Sequence, residues 1–418
     1  MSTLEHAPSR PGFRVPKERR GLVWTLGFGA FGLAFSLSIV AAFLPPVLGR
    51  FTSSRTLIGI VLGSEGAFAL TLPLVVGPWS DAIGTRLGRR RPFMLVAIPP
   101  LVASLAVMGL MPSLWATTLV VLAFFVAYYL YEPPYRSLYP DLLPGRVYGR
   151  AQSVQHLMRG LAIAFALVGG SELLHVWRDA PFVAAAVVTG GTCGITIYFI
   201  REPACEAGHF AGFRHAFIDS WRIVRDERDV RLFLIGNTCW ETTFAAMRTF
   251  VVLYVTHGMR QPLSTSTAVL GAVTVGYLVA APVAGPLGDR YGIARIIFLA
   301  STLYGGGLLA GGIPSHWHNW FYALIVPVAI AAGMVMTLAW GLLFKLMPDD
   351  ERGAISGLAT MTKGVALLVG PLAAGGAIDA FSGVLKATDG YQVLWPVCAL
   401  PILAAMPLTW RLRAVEPR

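Results

Sequence analysis

The chain has 418 residues, of which 55% are hydrophobic and only 13% charged, and its mean hydropathy is +0.64. That is too little polar surface to cover a water-soluble globule of this size, so the chain belongs in a bilayer. A net charge of +11 would suit nucleic acid if it were gathered on one face, but the arginines sit in short connections between apolar runs, and that partner is excluded.

A membrane-spanning helix needs about 20 apolar residues, and twelve runs of that kind follow one another. They cover roughly 22–46, 57–79, 93–111, 115–135, 152–174, 181–200, 231–255, 265–287, 293–312, 319–345, 354–379 and 391–410. Their length predicts helices, because barrel strands would alternate in polarity over about 10 residues. Arg10, Arg14, Lys17, Arg19 and Arg20 precede the first run in the manner of a signal peptide. No small-residue cleavage site follows and the run is long enough to span, so it is read as a retained helix.

Orientation follows from the basic residues. With the N-terminus cytoplasmic, 24 of the 33 Lys and Arg fall on the cytoplasmic side and only Arg50, Arg55, Arg178, Arg260 and Lys386 fall outside. The preference for cytoplasmic positive charge therefore predicts a multi-pass protein of the plasma (inner) membrane with both termini inside. The domain organisation expected is a tail over 1–21, a six-helix bundle over 22–200, a linker over 201–230, a second bundle over 231–411 and a tail over 412–418. The linker balances six arginines against six acids and carries Trp221, Ile223 and Val224, so it is expected to lie as an amphipathic segment on the cytoplasmic surface.

The two halves echo each other. GPWSDAIGTRLGRRRPF from Gly77 to Phe93 recurs in weaker form as GPLGDRYGIAR from Gly285 to Arg295. Pro144 and Gly149 recur as Pro348 and Gly353, and Arg159-Gly160 as Lys363-Gly364, all at an offset of 204. Inverted or repeated halves with a cation inside the equivalent helix of each are a mark of secondary transporters.

The 2/3 loop, with Gly77-Pro78, Asp81, Arg86 and Gly88-Arg89-Arg90-Arg91-Pro92-Phe93, resembles the signature loop of the major facilitator superfamily. Together with Pro134-Tyr135-Arg136-Ser137-Leu138, Asp141 and Gly149-Arg150-Ala151, it is most similar to the branch holding sucrose-proton symporters and glycoside-pentoside-hexuronide cation symporters. The resemblance implies an all-α membrane fold of twelve helices in two pseudo-symmetric bundles. It also implies alternating-access transport of a small polar solute such as a sugar or glycoside, coupled to protons or another cation. The chain departs from the branch in having no carboxylate over 126–129 and a single acid, Glu65, in helix 2.

Charges deep in a bilayer cost about 2.5 to 3.5 kcal/mol each and persist where they face a cavity or a partner. Glu65, Arg159, Glu241 and Lys363 fall near mid-depth at 1.5 Å per residue. The expected pairs are Glu65 with Arg159 and Glu241 with Lys363, as binding groups for solute or proton; static helix-packing pairs are the alternative. Asn237, Glu241 and Arg248 form one stripe flanked by Trp240 and Thr242, Gln152, Gln155, His156 and Arg159 another, and Tyr128, Glu132 and Tyr135 a third. Such polar and aromatic walls suit ring stacking and hydroxyl recognition, and equally ordinary interhelical hydrogen bonds.

A cytoplasmic gate is expected from Asp81 with Arg86, Arg89 and Arg90, from Asp141 with Arg146 and Arg150, from Asp289 in the repeat, and from Glu132 with Arg136 near the cytoplasmic end. The same arginines also suit contact with anionic lipid. Cys193, Cys205, Cys239 and Cys398 are scattered packing residues, and His316 with His318 has no third ligand, so no metal or other cofactor is expected. With no Walker loop and no catalytic motif, an enzyme is not expected. The alternatives are a proton-driven exporter of an amphiphilic compound and a non-transporting membrane assembly factor.

Overall fold

The computed structural model describes residues 17–415 apart from 53, 203–211 and 349. Arg10 and Arg14 of the tail, Cys205 and Glu206 of the linker, and Arg418 lie outside the described residues. Within them the chain is helical throughout, with thirteen α-helices and no strand. These are α1 (Lys17–Leu48), α2 (Arg55–Ala82), α3 (Arg91–Met108), α4 (Leu114–Leu142), α5 (Tyr148–Val176), α6 (Ala180–Phe199) and α7 (Phe213–Asp226). The second half follows as α8 (Arg228–Leu253), α9 (Leu263–Tyr291), α10 (Ile293–Gly311), α11 (Phe321–Leu346), α12 (Arg352–Phe381) and α13 (Leu394–Leu412). Eleven of them are long and apolar enough to cross a membrane. The twelfth expected span is α8, whose 26 residues include Arg228, Asp229, Arg231, Glu241 and Arg248. Those charges, rather than its length, set it apart.

The helices pack as two copies of one arrangement. In the first half α1 lies against α5 and α6, α3 against α4 and α6, and α2 against α4. In the second, α8 lies against α12 and α13, α10 against α11 and α13, and α9 against α11. The halves meet where α2 packs on α12 and α5 on α9, with α4 on α12 and α11 on α5 beside them. Between the halves runs the fourteen-residue α7, which packs on α2, α8 and α12.

Helix ends shift several expected loop residues onto helices. Helix α4 continues to Leu142 through Pro133, Pro134 and Pro140, so Arg136 and Asp141 are helical and do not lie in a loop. A proline removes one N–H and normally stops a helix in water, but in a membrane neighbouring groups can satisfy the freed carbonyls. Helix α5 begins at Tyr148 and α12 at Arg352, which puts Gly149, Arg150, Gly353 and Ala354 in first turns, where backbone N–H groups have no partner within the helix. The turns after α2 and α9 both rely on glycine in the left-handed region, Gly88 at φ 96° and Gly292 at φ 95°.

Candidate functional site

Two layers of polar residues join the halves. The first lies at the arginine-rich face, where α2 and α9 end. The carboxylate of Asp81 accepts the first-turn N–H groups of α12, Gly353 at 2.9 Å and Ala354 at 2.8 Å. Its counterpart Asp289 accepts those of α5, Gly149 at 2.9 Å and Arg150 at 3.0 Å. Each acid therefore caps a helix of the other half, at the positive end of that helix's dipole. Both stand in the pattern Gly-Pro-x-x-Asp, and the glycine of each lets the backbones touch. A Cβ on Gly77 would strike the Gly353 carbonyl, and one on Gly285 would strike Ser153 Oγ and the Gly149 carbonyl.

Guanidinium groups brace these caps. Arg90, only 1% exposed, donates to Asp81 at 2.6 Å, to Asp141 at 3.0 Å and to Ser80 Oγ at 2.6 Å. Burial works against its charge, yet Asp81 and Asp141 outweigh that and hold its pKa above the ordinary arginine value. Arg150 binds Asp289 at 2.8 Å, and Arg352 reaches Asp141 at 3.1 Å from the other half. The expected partner set is corrected in three places. Asp141 is bound by Arg90 and Arg352 rather than by Arg146 and Arg150, because Arg150 faces Asp289 and donates to the Arg146 carbonyl. Arg86 is exposed, and Arg89 contributes its backbone N–H rather than its side chain.

That N–H leads to a residue the sequence did not single out. Glu202, just beyond α6, accepts from the N–H groups of Arg89 (2.8 Å), Arg90 (2.9 Å) and Arg91 (2.9 Å), capping α3 and fixing the turn that carries Arg90. Burial lifts its carboxyl above the usual range, against the opposing pull of the three donors and of Arg90. Gly88 must lack a side chain here, since a Cβ would collide with the Glu202 carboxylate.

The second layer lies deeper. Lys363 on α12 reaches Glu65 on α2 at 3.4 Å, so the pair joins the two halves. This corrects the expected pairing of Glu65 with Arg159 and Glu241 with Lys363. Helices α2 and α12 face each other along their length, whereas α5 packs on α9, which brings no acid to Arg159. Arg159 and Glu241 make no hydrogen bond or ion pair among the described residues, although each feels the other's charge. Glu132 and Arg136 pair at 3.6 Å, both buried, with the Arg136 guanidinium 4.3 Å above the Trp340 ring. Glu132 lies nine residues before Asp141 on α4, about two and a half helical turns, so it stands deeper than the layer of Asp81 and Asp141.

Around these charges His156 Nδ1 meets the Tyr277 hydroxyl at 3.0 Å, and Asn237 donates to Thr362 Oγ1 at 2.6 Å. Buried atoms of Gln155, Gln152, His156 (Nε2), Trp240 (Nε1) and Glu132 (Oε2) are left without partners. Tyr128 is buried against Phe124 and Tyr129. On the side away from the arginine-rich face a cavity of about 310 Å³ opens between α1, α2, α8 and α12. Glu65, Arg248 and Thr249 are its polar lining, among Leu37, Phe125 and Leu367.

Two helical bundles joined at one face by reciprocal helix caps, with a charged cavity lined by both halves toward the other, make a membrane transport scaffold. The chain belongs to the Major Facilitator Superfamily, which it matches over residues 26–275 and 261–418. It is 22% identical over 351 residues to a Na(+), Li(+), K(+)/H(+) antiporter of Planococcus maritimus, covering 76% of this chain and 80% of that protein. It is 29% identical over 91 residues to a D-xylose transporter of Levilactobacillus brevis, and 36% identical over 76 residues to the proton-associated sugar transporter A of Mus musculus. Those two matches span 22% and 18% of this chain but only 20% and 10% of the two relatives. In fold it is similar to FucP, crystallised in the outward conformation, with a TM-score of 0.77 at 11% identity, covering 96% of this chain and all of that one. It is also similar to the human organic anion transporter MFSD10 (TETRAN), with a TM-score of 0.75 at 15% identity over 94% of this chain and 100% of the other.

Proposed function

We propose that this secondary transporter imports a sugar or glycoside together with a proton, with the arginine-rich face cytoplasmic and the charged layer as the binding site. The observation that carries the reading is the cavity itself. Its lining includes Glu65, whose pair with Lys363 bridges the halves, and it lies toward the opposite end of the bundles from the Asp81 and Asp289 caps. In this reading the cavity serves the outer side, and Asp81, Asp289, Arg90, Arg150, Asp141 and Arg352 act as the cytoplasmic gate.

Glu241 is the proton acceptor in this reading. It has no bonded partner among the described residues, and Lys363 and Arg159 both act on its charge, so neutralising it changes the field on both cations at once. The sugar-transporting relatives support the solute class. Uptake of labelled xylose, sucrose and glucosides into proteoliposomes under an imposed inward proton gradient tests the reading. Accumulation that collapses with a protonophore and is lost in Glu241→Gln is expected; accumulation unaffected by either overturns the coupling.

The antiporter match, the longest of the curated ones described above, favours a second reading in which a proton entering drives a solute out. In the same vesicles, solute efflux accelerated by an opposing proton gradient, with no uptake, selects it.

A further inference from the structure

The cavity between α1, α2, α8 and α12 has three polar side chains in its lining, Glu65, Arg248 and Thr249, and two of them are already engaged. The Glu65 carboxylate accepts from Lys363 at 3.4 Å, and the Thr249 hydroxyl donates to the Ala245 carbonyl at 2.9 Å. Arg248 is exposed, and it makes no hydrogen bond or ion pair among the described residues. The nearest acid along its own helix, Glu241, lies seven residues deeper, about 10 Å along the axis. The lining therefore carries one positive charge that nothing in it answers.

The other walls are apolar, with Leu37, Val40, Leu62, Phe125 and Leu367 among them. Sugar hydroxyls would find no free partner here except the guanidinium, and hydroxyls buried without partners are costly. A small hydrated anion would give up its water for a single side chain. An anion with an apolar body suffers neither loss. The depths of the groups favour the same shape. Arg248 stands five residues before the end of α8, about 8 Å, whereas Glu65 lies ten residues beyond the start of α2, about 15 Å. A head group on Arg248 can stay near water while the body enters between the helices. At about 30 Å³ for each water-sized group, the 310 Å³ of the cavity accommodates about ten of them.

We propose that this cavity is a ligand site in its own right, for an amphiphilic monocarboxylate of about ten heavy atoms whose head pairs with Arg248 and whose apolar body fills the space between the halves. The guanidinium suits such a head, since its planar fork takes a carboxylate through two parallel hydrogen bonds. The carboxylate brings one negative charge to a lining that holds one unanswered positive charge. The site goes beyond the sugar reading and does not depend on it, because a sugar bound at the deeper charged layer would use different groups.

The test is calorimetry on the full chain in lipid nanodiscs, against empty nanodiscs, with octanoate, 1-octanol and octylamine as probes. Octanoate is expected to bind about tenfold or more tighter than the neutral and cationic chains of the same length. Its affinity should exceed that of hexanoate by about fourfold per added methylene and gain little on lengthening to decanoate, once the cavity is full. Arg248→Gln is expected to lose the preference for the acid and Arg248→Lys to keep most of it. A Cβ on Gly63 would meet nothing within 4 Å, so Gly63→Leu can fill the cavity without displacing a neighbour, and it is expected to abolish binding. Gly63→Cys locates the site without measuring affinity: octanoate, and not octylamine, should slow its reaction with a membrane-impermeant maleimide several-fold. Octanol binding as tightly as octanoate, or octanoate binding Gly63→Leu as it binds the native protein, overturns the proposal. An affinity that climbs through decanoate alike in native protein and Arg248→Gln is partition into lipid and overturns it too. None of these results bears on uptake of sugar.

Discussion

Removing the charge of Asp81 tests whether the helix caps hold one face of the transporter shut. Asp81→Asn keeps the size of the side chain and one acceptor oxygen. It turns an NH2 group toward the second of the two N–H donors, Gly353 and Ala354, and takes away the carboxylate that Arg90 binds at 2.6 Å. A hydrogen bond to a charged group contributes about 1.5–3 kcal/mol, and one donor is left facing another. Arg90 keeps Asp141, which limits the loss of its pairing. The sum is about 3 kcal/mol of closure energy. At about 1.4 kcal/mol per tenfold, that moves a 99:1 ratio of closed to open at this face to nearly 1:1. Spin labels on Leu87 and Tyr291, both exposed and on opposite halves of the arginine-rich face, read the separation directly. The native protein should give one short distance and Asp81→Asn a second, longer population of comparable size. A distribution unchanged by Asp81→Asn, in protein that folds and binds solute, would refute the claim that the caps set this equilibrium.

Three further outcomes follow from the same geometry. Gly77→Ala and Gly285→Ala push the seams apart without touching any charge, because each new Cβ meets backbone of the other half; the same spin-label pair should show a longer distance in both. Glu65→Gln strands Lys363 beside a neutral amide in the cavity, at a cost of about 1–3 kcal/mol given that both side chains keep some contact with water. The exchanged pair Glu65→Lys with Lys363→Glu should restore most of the melting temperature that either single change loses, and a purely additive double mutant would show that the pair is not coupled. Glu202→Gln weakens the three-donor cap that fixes the turn bearing Arg90, so hydrogen exchange of the Arg89, Arg90 and Arg91 amides should quicken by about tenfold while that of α10 stays unchanged.

Much of this architecture is legible in the sequence because a bilayer leaves few choices. Every long apolar run must satisfy its own backbone groups, so run length alone predicts the helices. The paired Gly-Pro-x-x-Asp copies and the repeated Pro144-Gly149 spacing mark the pseudo-symmetry before any coordinate is known. What the sequence conceals is which surfaces face each other. Local order puts Arg146 and Arg150 near Asp141, but the partners that Asp141 takes are Arg90, fifty-one residues before it, and Arg352, two hundred and eleven after it. Glu202 looks like one of six acids in a charged linker until its carboxylate is seen on three consecutive N–H groups. The helix boundaries matter as much: a loop ending at 152 hides that Gly149 and Arg150 open a helix and so offer free donors.

The pairing Glu65–Lys363 was hidden for the same reason, and the reason bears on mechanism. A repeat invites each half to be read as a self-contained unit, with its own acid answering its own base. Two bundles that must part and rejoin gain nothing from charges paired inside one of them, because such a pair is the same in every state. A pair across the seam changes with the state, and so do two caps that reach from each half into the other. The described inter-half contacts place Asp81, Asp289, Asp141 and Glu65 in this state-dependent class, while Glu241 has no bonded partner among the described residues. In the proposed proton-coupled reading one group must be free to take the proton, and among these carboxylates Glu241 is the one proposed for it.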